Sequence, residues 1–167
     1  MDVGEPEYGF LERSVFMINA VLTELIEFSF FHAIFKLSQS NEFQAFGGWI
    51  DDSGDIVPAV ARVGGKGRPN AKEIDTLTQK FLELAATQQI RAMCLCREVS
   101  LKKPGGGEPT RLISCILEDS SGCSLELTMP FKFDYDSNSF IFGPIDGKKR
   151  RPQFFPNMKE SVSYSWQ

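Results

Sequence analysis

The sequence predicts an α+β domain in which two helices pack against a mostly antiparallel sheet of about five strands. Two segments, 43–63 and 111–133, alternate apolar and polar residues around an X-Ser-Gly turn, as β-hairpins do. One helical pattern lies between them over 70–89, and a long apolar segment, 15–37, precedes both. A chain of 167 residues favours a single domain, and helices that cover an antiparallel sheet satisfy this order of elements.

The segment 111–133 is the best-defined hairpin of the sequence. A three-residue loop, Ser120-Ser121-Gly122, places Asp119 opposite Cys123, and Gly122 supplies the left-handed residue that such a loop requires. One face is then apolar, with Ile113 opposite Met129, Cys115 opposite Leu127 and Leu117 opposite Leu125. A two-residue loop would scatter these side chains over both faces, so turn length and apolar pattern predict the same register.

The apolar segment 15–37 is predicted to be a long helix with Ser14 as its N-cap. It is long enough to span a membrane, but Glu24, Glu27 and Lys36 oppose insertion, since an ionised group near the bilayer centre costs roughly 2.5–3.5 kcal/mol. A helix this apolar must bury more than one face, so a second surface is needed beside the sheet. We therefore predict self-association, or a protein partner, through an interface of Phe28, Phe30, Phe31, Ile34 and Phe35.

The segment 43–63 is predicted to form the first hairpin, with Asp52-Ser53-Gly54 at its turn. Phe46, Gly48 and Ile50 then pair with Val60, Pro58 and Ile56, in that order. Because Pro58 has no N–H, its strand belongs at an edge of the sheet or at a bulge. After the following loop, Asn70 caps the crossover helix, and Glu73 at the third helical position completes a capping box.

The third strand, 90–101, carries Cys94 and Cys96 on one face. In one of the registers open to the next strand, Cys96 lies opposite Cys115. The C-x2-C pair of zinc knuckles is missing, so a buried apolar role is favoured over a metal site or redox chemistry, and no metal is predicted. With no secretory segment in view, the four cysteines indicate reduced thiols and a cytoplasmic protein.

The loop 64–70, GGKGRPN, precedes the crossover helix and is the candidate anion-binding site. Free N–H groups and the helix dipole favour an anion at a helix N-terminus, and Lys66, Arg68 and Asn70 stand beside this one. The Walker A pattern G-x-x-x-x-G-K-[ST] does not fit the loop. A phosphate or carboxylate ligand is one interpretation, and a strand-to-helix connection without a ligand is the other.

No set of residues in the sequence converges on a catalytic mechanism. His32 is the sole histidine and sits in the apolar helix, where a packed role is favoured over Ser–His or Cys–His catalysis. The segment 134–145 begins like an EF-hand loop, but Ser139 and Ile145 stand where glycine and a bidentate glutamate are needed. No cofactor is therefore predicted.

Residues 1–143 are predicted to form the domain, with 1–13 mobile, and residues 144–167 to form a basic and aromatic C-terminal tail. The tail is either an arm held by Phe154 and Phe155 or a disordered segment. Its basic cluster, residues 148–151, would suit single-stranded nucleic acid. A net charge of −4 and the lack of an RNP-like motif argue against that partner.

Two stretches carry a resemblance to known proteins. GGWIDDSGDI, and PGGGEPTR followed by ISCILEDSSGCSLELTMPF, resemble a family of small uncharacterised bacterial proteins over about residues 43–143. The order of elements is also similar to that of profilin-like or roadblock-type domains. These resemblances imply a fold and bring no activity, cofactor or site residue.

Together these features favour a non-catalytic interaction domain that forms a homodimer through its apolar N-terminal helix. The alternative is a domain that binds a small anionic ligand, or an enzyme, at the GGKGRPN loop.

Overall fold

The computed structural model describes residues 20–61 and 70–155, which form two helices and seven strands. The elements are α1 (Ala20–Ser40), β1 (Phe46–Asp51), β2 (Ile56–Val60), α2 (Asn70–Ala86), β3 (Ile90–Leu101), β4 (Thr110–Asp119), β5 (Ser124–Asp134), β6 (Ser139–Phe142) and β7 (Asp146–Lys149). The predicted α+β class and antiparallel sheet are confirmed. The described residues contain seven strands where about five were predicted.

The sheet has the strand order β2-β1-β3-β4-β5-β6, and β7 also pairs with β5. Every pairing is antiparallel. The long strand β5 has two neighbours on its outer side, because residues 125–128 pair with β7 and residues 131–134 pair with β6. Strand β2, with Pro58, pairs with β1 alone and forms the opposite edge, as its proline predicts.

The predicted registers of both hairpins are confirmed. Ile113, Cys115 and Leu117 lie opposite Met129, Leu127 and Leu125, and Phe46, Gly48 and Ile50 lie opposite Val60, Pro58 and Ile56. Gly122 closes the later turn at φ 95°, and Gly54 closes the earlier one at φ 89°. The register left open between β3 and β4 is the one that sets Cys96 opposite Cys115.

The two helices cover opposite faces of the sheet. Cys94 and Cys96 of β3 belong to the cluster beneath α1, whereas the alternate residues Met93 and Leu95 belong to the cluster beneath α2. Five apolar residues of α1 are buried there: Leu22, Leu25, Phe30, Ala33 and Leu37. Within the described residues, neither helix combines the length and the apolarity needed to cross a bilayer.

Two consecutive glycines of β1 allow both helices to approach the sheet closely. A Cβ atom on Gly48 would lie 3.0 Å from the ring of Phe28 on α1. A Cβ atom on Gly47 would lie 2.9 Å from the ring of Phe81 on α2, and would collide with the carbonyl oxygen of Cys94. Strand β1 is therefore thin on both faces at the point where the two helices converge on it.

The segment assigned to a C-terminal tail contributes a strand and part of the core. Residues 146–149 form β7, which was not predicted because DGKK shows no apolar alternation. Its pairing relies on the backbone ladder with β5 and on an ion pair between Lys148 and Glu126 at 3.4 Å. Farther on, Phe154 and Phe155 are buried beneath α2, in agreement with the alternative of an arm held by these two rings.

Candidate functional site

A cavity of about 810 Å³ opens where the C-terminal end of α1 meets the first turn of α2 and the ends of β3 and β4. Cavities of this volume are typical of small-molecule sites. Described residues from all these elements line it: Lys36, Gln39, Ser40, Glu42, Phe43, Gln44, Glu73, Glu98, Ser100 and Arg111. Most of these side chains are charged or carry amide or hydroxyl groups, so the cavity is suited to a polar ligand.

Glu73 is the most unusual of these residues. Its side chain is 1% exposed, and neither of its carboxylate oxygens has a hydrogen-bond partner within the described part of the chain. Burial raises the pKa of this carboxyl group above its ordinary value, and the positive charge of Lys36 opposes the rise. The side chain of Glu73 makes none of the hydrogen bonds that the predicted capping box requires, so that part of the capping box is not formed.

Lys36 brings the opposite charge to the same cavity. Its ammonium group lies 5.1 Å from the centroid of the Phe46 ring, an arrangement in which the ring face attracts a cation. Among the described residues it forms no ion pair, although its field reaches Glu73. The cavity therefore holds a cation and a buried carboxyl group that influence each other without direct contact.

Arg111 and Glu98 form a fixed wall of the cavity. The Nε and one terminal nitrogen of Arg111 donate to the two carboxylate oxygens of Glu98, at 2.7 and 3.1 Å. The guanidinium group also donates to the carbonyl oxygen of Asn41 at 2.6 Å and lies 4.6 Å from the centroid of the Phe131 ring. These contacts hold the guanidinium group in place and tie β4 to the end of α1.

The predicted anion-binding residues are only partly within the described residues. Lys66 and Arg68 lie outside them, and Asn70 is the first residue of α2. Glu73, one turn into that helix, lines the cavity. In the sequence, Glu73 occupies a helix-capping position, and Lys36 is a single charge in the apolar helix. No pattern in the sequence could have shown that these two residues share one cavity, because their proximity is a tertiary feature.

The five predicted interface residues of α1 have different environments. Phe30 is buried against the sheet, and Phe28 and Ile34 are half-buried against the same cluster. Phe31 and Phe35 remain 69% and 51% exposed, one helical turn apart. The apolar surface that α1 leaves uncovered is therefore centred on these two rings.

The remaining candidates for chemistry are packed against apolar residues, the histidine half-buried and the cysteines Cys94, Cys96 and Cys115 in the core. His32 has its Nδ1 atom 2.9 Å from the carbonyl oxygen of Phe28, and its ring centroid lies 4.3 Å from that of Phe28. The sulfur atoms of Cys96 and Cys115 lie 3.0 Å apart, and both residues are buried. Burial raises the pKa of the Cys94 thiol to about 12 and that of Cys96 well above its ordinary value. Within residues 20–61 and 70–155, no group of three or more candidate ligands is placed to hold a metal ion.

The cavity is equipped for binding more than for bond breaking. A carboxyl group with a raised pKa can transfer protons, but among the described residues of the lining no histidine or cysteine accompanies it. Comparison of the chain with protein-family models, with curated proteins and with solved structures finds no match.

Proposed function

We propose that this protein is a small-molecule-binding domain whose ligand occupies the cavity between α1, α2 and the ends of β3 and β4. The observation that carries the proposal is the buried carboxyl group of Glu73, which faces the cavity without a hydrogen-bond partner among the described residues. This is the ligand-binding alternative of the sequence analysis. The proposed site is centred on the first turn of α2, whereas the sequence placed the candidate site in the loop before that helix.

Glu73 loses its contact with water on folding and gains no hydrogen bond among the described residues in return. A buried polar group that lacks a partner costs about 1–3 kcal/mol, and more when it is charged. Folded proteins leave few such groups, so each one requires an explanation. A ligand that donates hydrogen bonds to Glu73 would remove this cost, and part of the folding cost would then be returned as binding free energy.

The test is a fragment screen by two-dimensional NMR with the full chain. We expect fragments that shift the amide signals of residues around Lys36, Glu73 and Arg111. These shifts should vanish in Ser100→Phe, which fills the cavity from β3, and in Gln39→Phe, which fills it from α1. Both positions are exposed, so the fold should tolerate the larger side chains. Fragments that bind equally well to both filled variants would place the ligand elsewhere and contradict the proposal.

A second candidate function is self-association, or binding of a protein partner, through α1. The exposed rings of Phe31 and Phe35 favour it, since neighbouring apolar side chains on a surface mark contact sites. Light scattering should then give the mass of a dimer for the full chain and of a monomer for Phe31→Glu. Thr23→Glu, at an exposed position nearer the start of the same helix, is the matched control. A full-length monomer at high protein concentration would contradict self-association.

The proposal also includes the arrangement of the elements, a family resemblance and the location of the protein. A profilin-like or roadblock-like arrangement is proposed on the order helix, hairpin, helix and meander, to which β6 and β7 are additions. The resemblance of residues 43–143 to small uncharacterised bacterial proteins is a prediction. A cytoplasmic location follows from the expectation of reduced thiols, and the four cysteines are free in the structure.

A further inference from the structure

We propose that the ligand of this cavity is a small zwitterion, with an ammonium group that pairs with Glu73 and a carboxylate that pairs with Lys36. Free α-amino acids are the simplest members of this chemical class. The inference rests on the proposed function, because it names the ligand class of the same cavity.

The first step concerns Glu73. Both of its oxygens are buried and without a hydrogen-bond partner among the described residues, so both lack the compensation that hydrogen bonds from a ligand would supply. A cationic N–H donor compensates such a carboxylate better than a neutral donor, because it also balances the charge. A metal ion would need further ligands, and no group of three candidate ligands is found within the described residues. An ammonium group is therefore the best match.

The second step concerns Lys36. Of the two cations among the described residues of the lining, Arg111 already has its Nε and one terminal nitrogen bonded to Glu98 and to the carbonyl oxygen of Asn41. The ammonium group of Lys36 contacts the ring of Phe46 and, within the described residues, has no carboxylate within ion-pair distance. It therefore has N–H donors available for a ligand carboxylate.

The third step concerns the two charges together. Lys36 and Glu73 line the same cavity, yet they form no ion pair with each other. A molecule that carries both signs could fill the gap and pair with both groups. Other charge types fit less well. A phosphate would face the carboxylates of Glu42 and Glu73, and a polyamine would face Lys36.

The net charge of a zwitterion, which is zero, also favours this class of ligand. It brings no net charge into the cavity, so the desolvation of its two ends is compensated locally by Glu73 and Lys36. The amide and hydroxyl groups of Gln39, Gln44 and Ser100 line the same space and could bond the remaining polar atoms of the ligand. The side chain of the ligand would determine which member of the class binds best.

The test compares matched ligands by calorimetry and NMR with the full chain. The panel contains the standard α-amino acids and, for each binder, its amine analogue without the carboxylate and its acid analogue without the ammonium group. Tyrosine, tyramine and 3-(4-hydroxyphenyl)propionate are one such set. We expect the amino acid to bind about ten- to a hundredfold more tightly than either analogue, as expected for one lost charge-assisted contact.

Two variants then assign each charge to its partner. Glu73→Gln should remove most of the preference for the amino acid over the acid analogue. Lys36→Met, which keeps the length of the side chain, should remove most of the preference over the amine analogue. Glu83→Gln, an exposed site on α2, should change neither preference. Thermal unfolding of each variant checks that it is folded.

The outcomes separate this inference from the proposed function. If the acid analogue, the amine analogue, phosphate or spermidine binds in the cavity as tightly as any amino acid, the zwitterion is wrong and ligand binding stands. If no panel member binds while a fragment does, the same conclusion holds. If neither panel nor fragments bind in the cavity, both proposals are overturned.

Discussion

The carboxylate of Glu118 accepts a hydrogen bond from the backbone N–H of Phe154 at 2.6 Å, across a separation of 36 residues. The N–H groups of Gln153 and Phe155 donate to the same carboxylate at 2.7 Å each, and the hydroxyl of Ser124 donates at 3.2 Å. Three successive backbone donors thus hold a carboxylate that is fully buried on β4. In this way one side chain of the central hairpin fixes the C-terminal arm on the sheet.

We expect Glu118→Gln to destabilise the fold by roughly 2–4 kcal/mol, because hydrogen bonds to a charged group contribute about 1.5–3 kcal/mol each. Glutamine keeps one acceptor oxygen and turns an N–H₂ group toward backbone donors. Urea unfolding measures the change. On the neighbouring strand, Glu126 pairs with the exposed Lys148 and accepts a hydrogen bond from Ser114, for which glutamine keeps an acceptor oxygen, so Glu126→Gln should cost no more than about 1 kcal/mol.

The arm offers a second readout for the same variant. Trypsin should cleave after Arg150 faster in Glu118→Gln than in the wild type, because the following residues would no longer be held by their N–H groups. Equal cleavage rates and equal stability losses for the two glutamate variants would show that Glu118 does not anchor the arm.

The two glycines of β1 should differ in their tolerance of alanine. Gly47→Ala places a methyl group against the backbone oxygen of Cys94, which cannot move without shifting β3. Gly48→Ala meets the Phe28 ring at 3.0 Å and the carbonyl oxygen of Val57 at 3.2 Å, so a smaller displacement of the neighbours accommodates its methyl group. Overpacking of this kind costs about 1–3 kcal/mol, so we expect Gly48→Ala near the lower end and Gly47→Ala at or above the upper end.

The same urea unfolding experiment tests this order, and the double variant Gly48→Ala with Phe28→Leu adds a check. The smaller side chain should recover part of the loss caused by Gly48→Ala and none of the loss caused by Gly47→Ala. If Gly48→Ala proved the more damaging of the two, the described approach of α1 to β1 would be incorrect.

Cys123 should be the first thiol to react with iodoacetamide. It is half-buried, whereas Cys94, Cys96 and Cys115 are buried. Burial and the nearby charge of Asp119 raise the pKa of Cys123 to about 11, so its reaction should be slow near neutrality and accelerate as the pH rises toward 11. Mass spectrometry of the folded protein should show one modified residue, and Cys123→Ser should show none. Labelling of Cys96 before unfolding would contradict the packing beneath α1.

The raised pKa of Glu73 predicts how stability depends on pH. Below the ordinary pKa of a glutamate the carboxyl group is protonated in both states, and its burial costs least. As the pH rises from there through the raised value of the folded state, the unfolded chain releases the proton first, so stability is lost. At each pH, the urea midpoint of the wild type is compared with that of Glu73→Gln, and this difference should fall as the pH rises. The same difference measured for Glu83→Gln should follow the wild type. A relative midpoint that rises would mean that the ionised carboxylate has a partner.

The hairpins could be predicted from the sequence because the information is local. The loop Ser120-Ser121-Gly122 and the alternation of Ile113, Cys115 and Leu117 constrain the same register independently. Strand β7 could not be predicted in this way, since its pairing depends on backbone groups and on the open outer edge of β5. The same turn pattern placed Glu118 correctly on a strand. It could not show that the N–H groups of residues 153–155 bind this side chain, because they lie far away in the sequence.

The candidate site lies beyond what the sequence patterns can show. The spacing of Asn70 and Glu73 is that of a capping box, and the sequence shows Lys36 only as one charge in an apolar helix. Their shared cavity exists because α1 ends beside the ends of β3 and β4, where α2 begins on the other face of the sheet. The burial of Glu73 is set by that arrangement and not by its neighbours in the chain.

The order in which the chain emerges during synthesis gives the C-terminal arm a further meaning. Phe154 packs against Phe81 of α2 with ring centroids 6.1 Å apart, so the core beneath α2 includes a residue that leaves the ribosome after all the described strands have been made. Until then the ring of Phe81 lacks this covering, and Glu118 lacks its three backbone donors. A nascent chain that stalls before Gln153 would therefore present an apolar surface and an uncompensated carboxylate at once, the features by which quality-control factors can distinguish it from the finished domain.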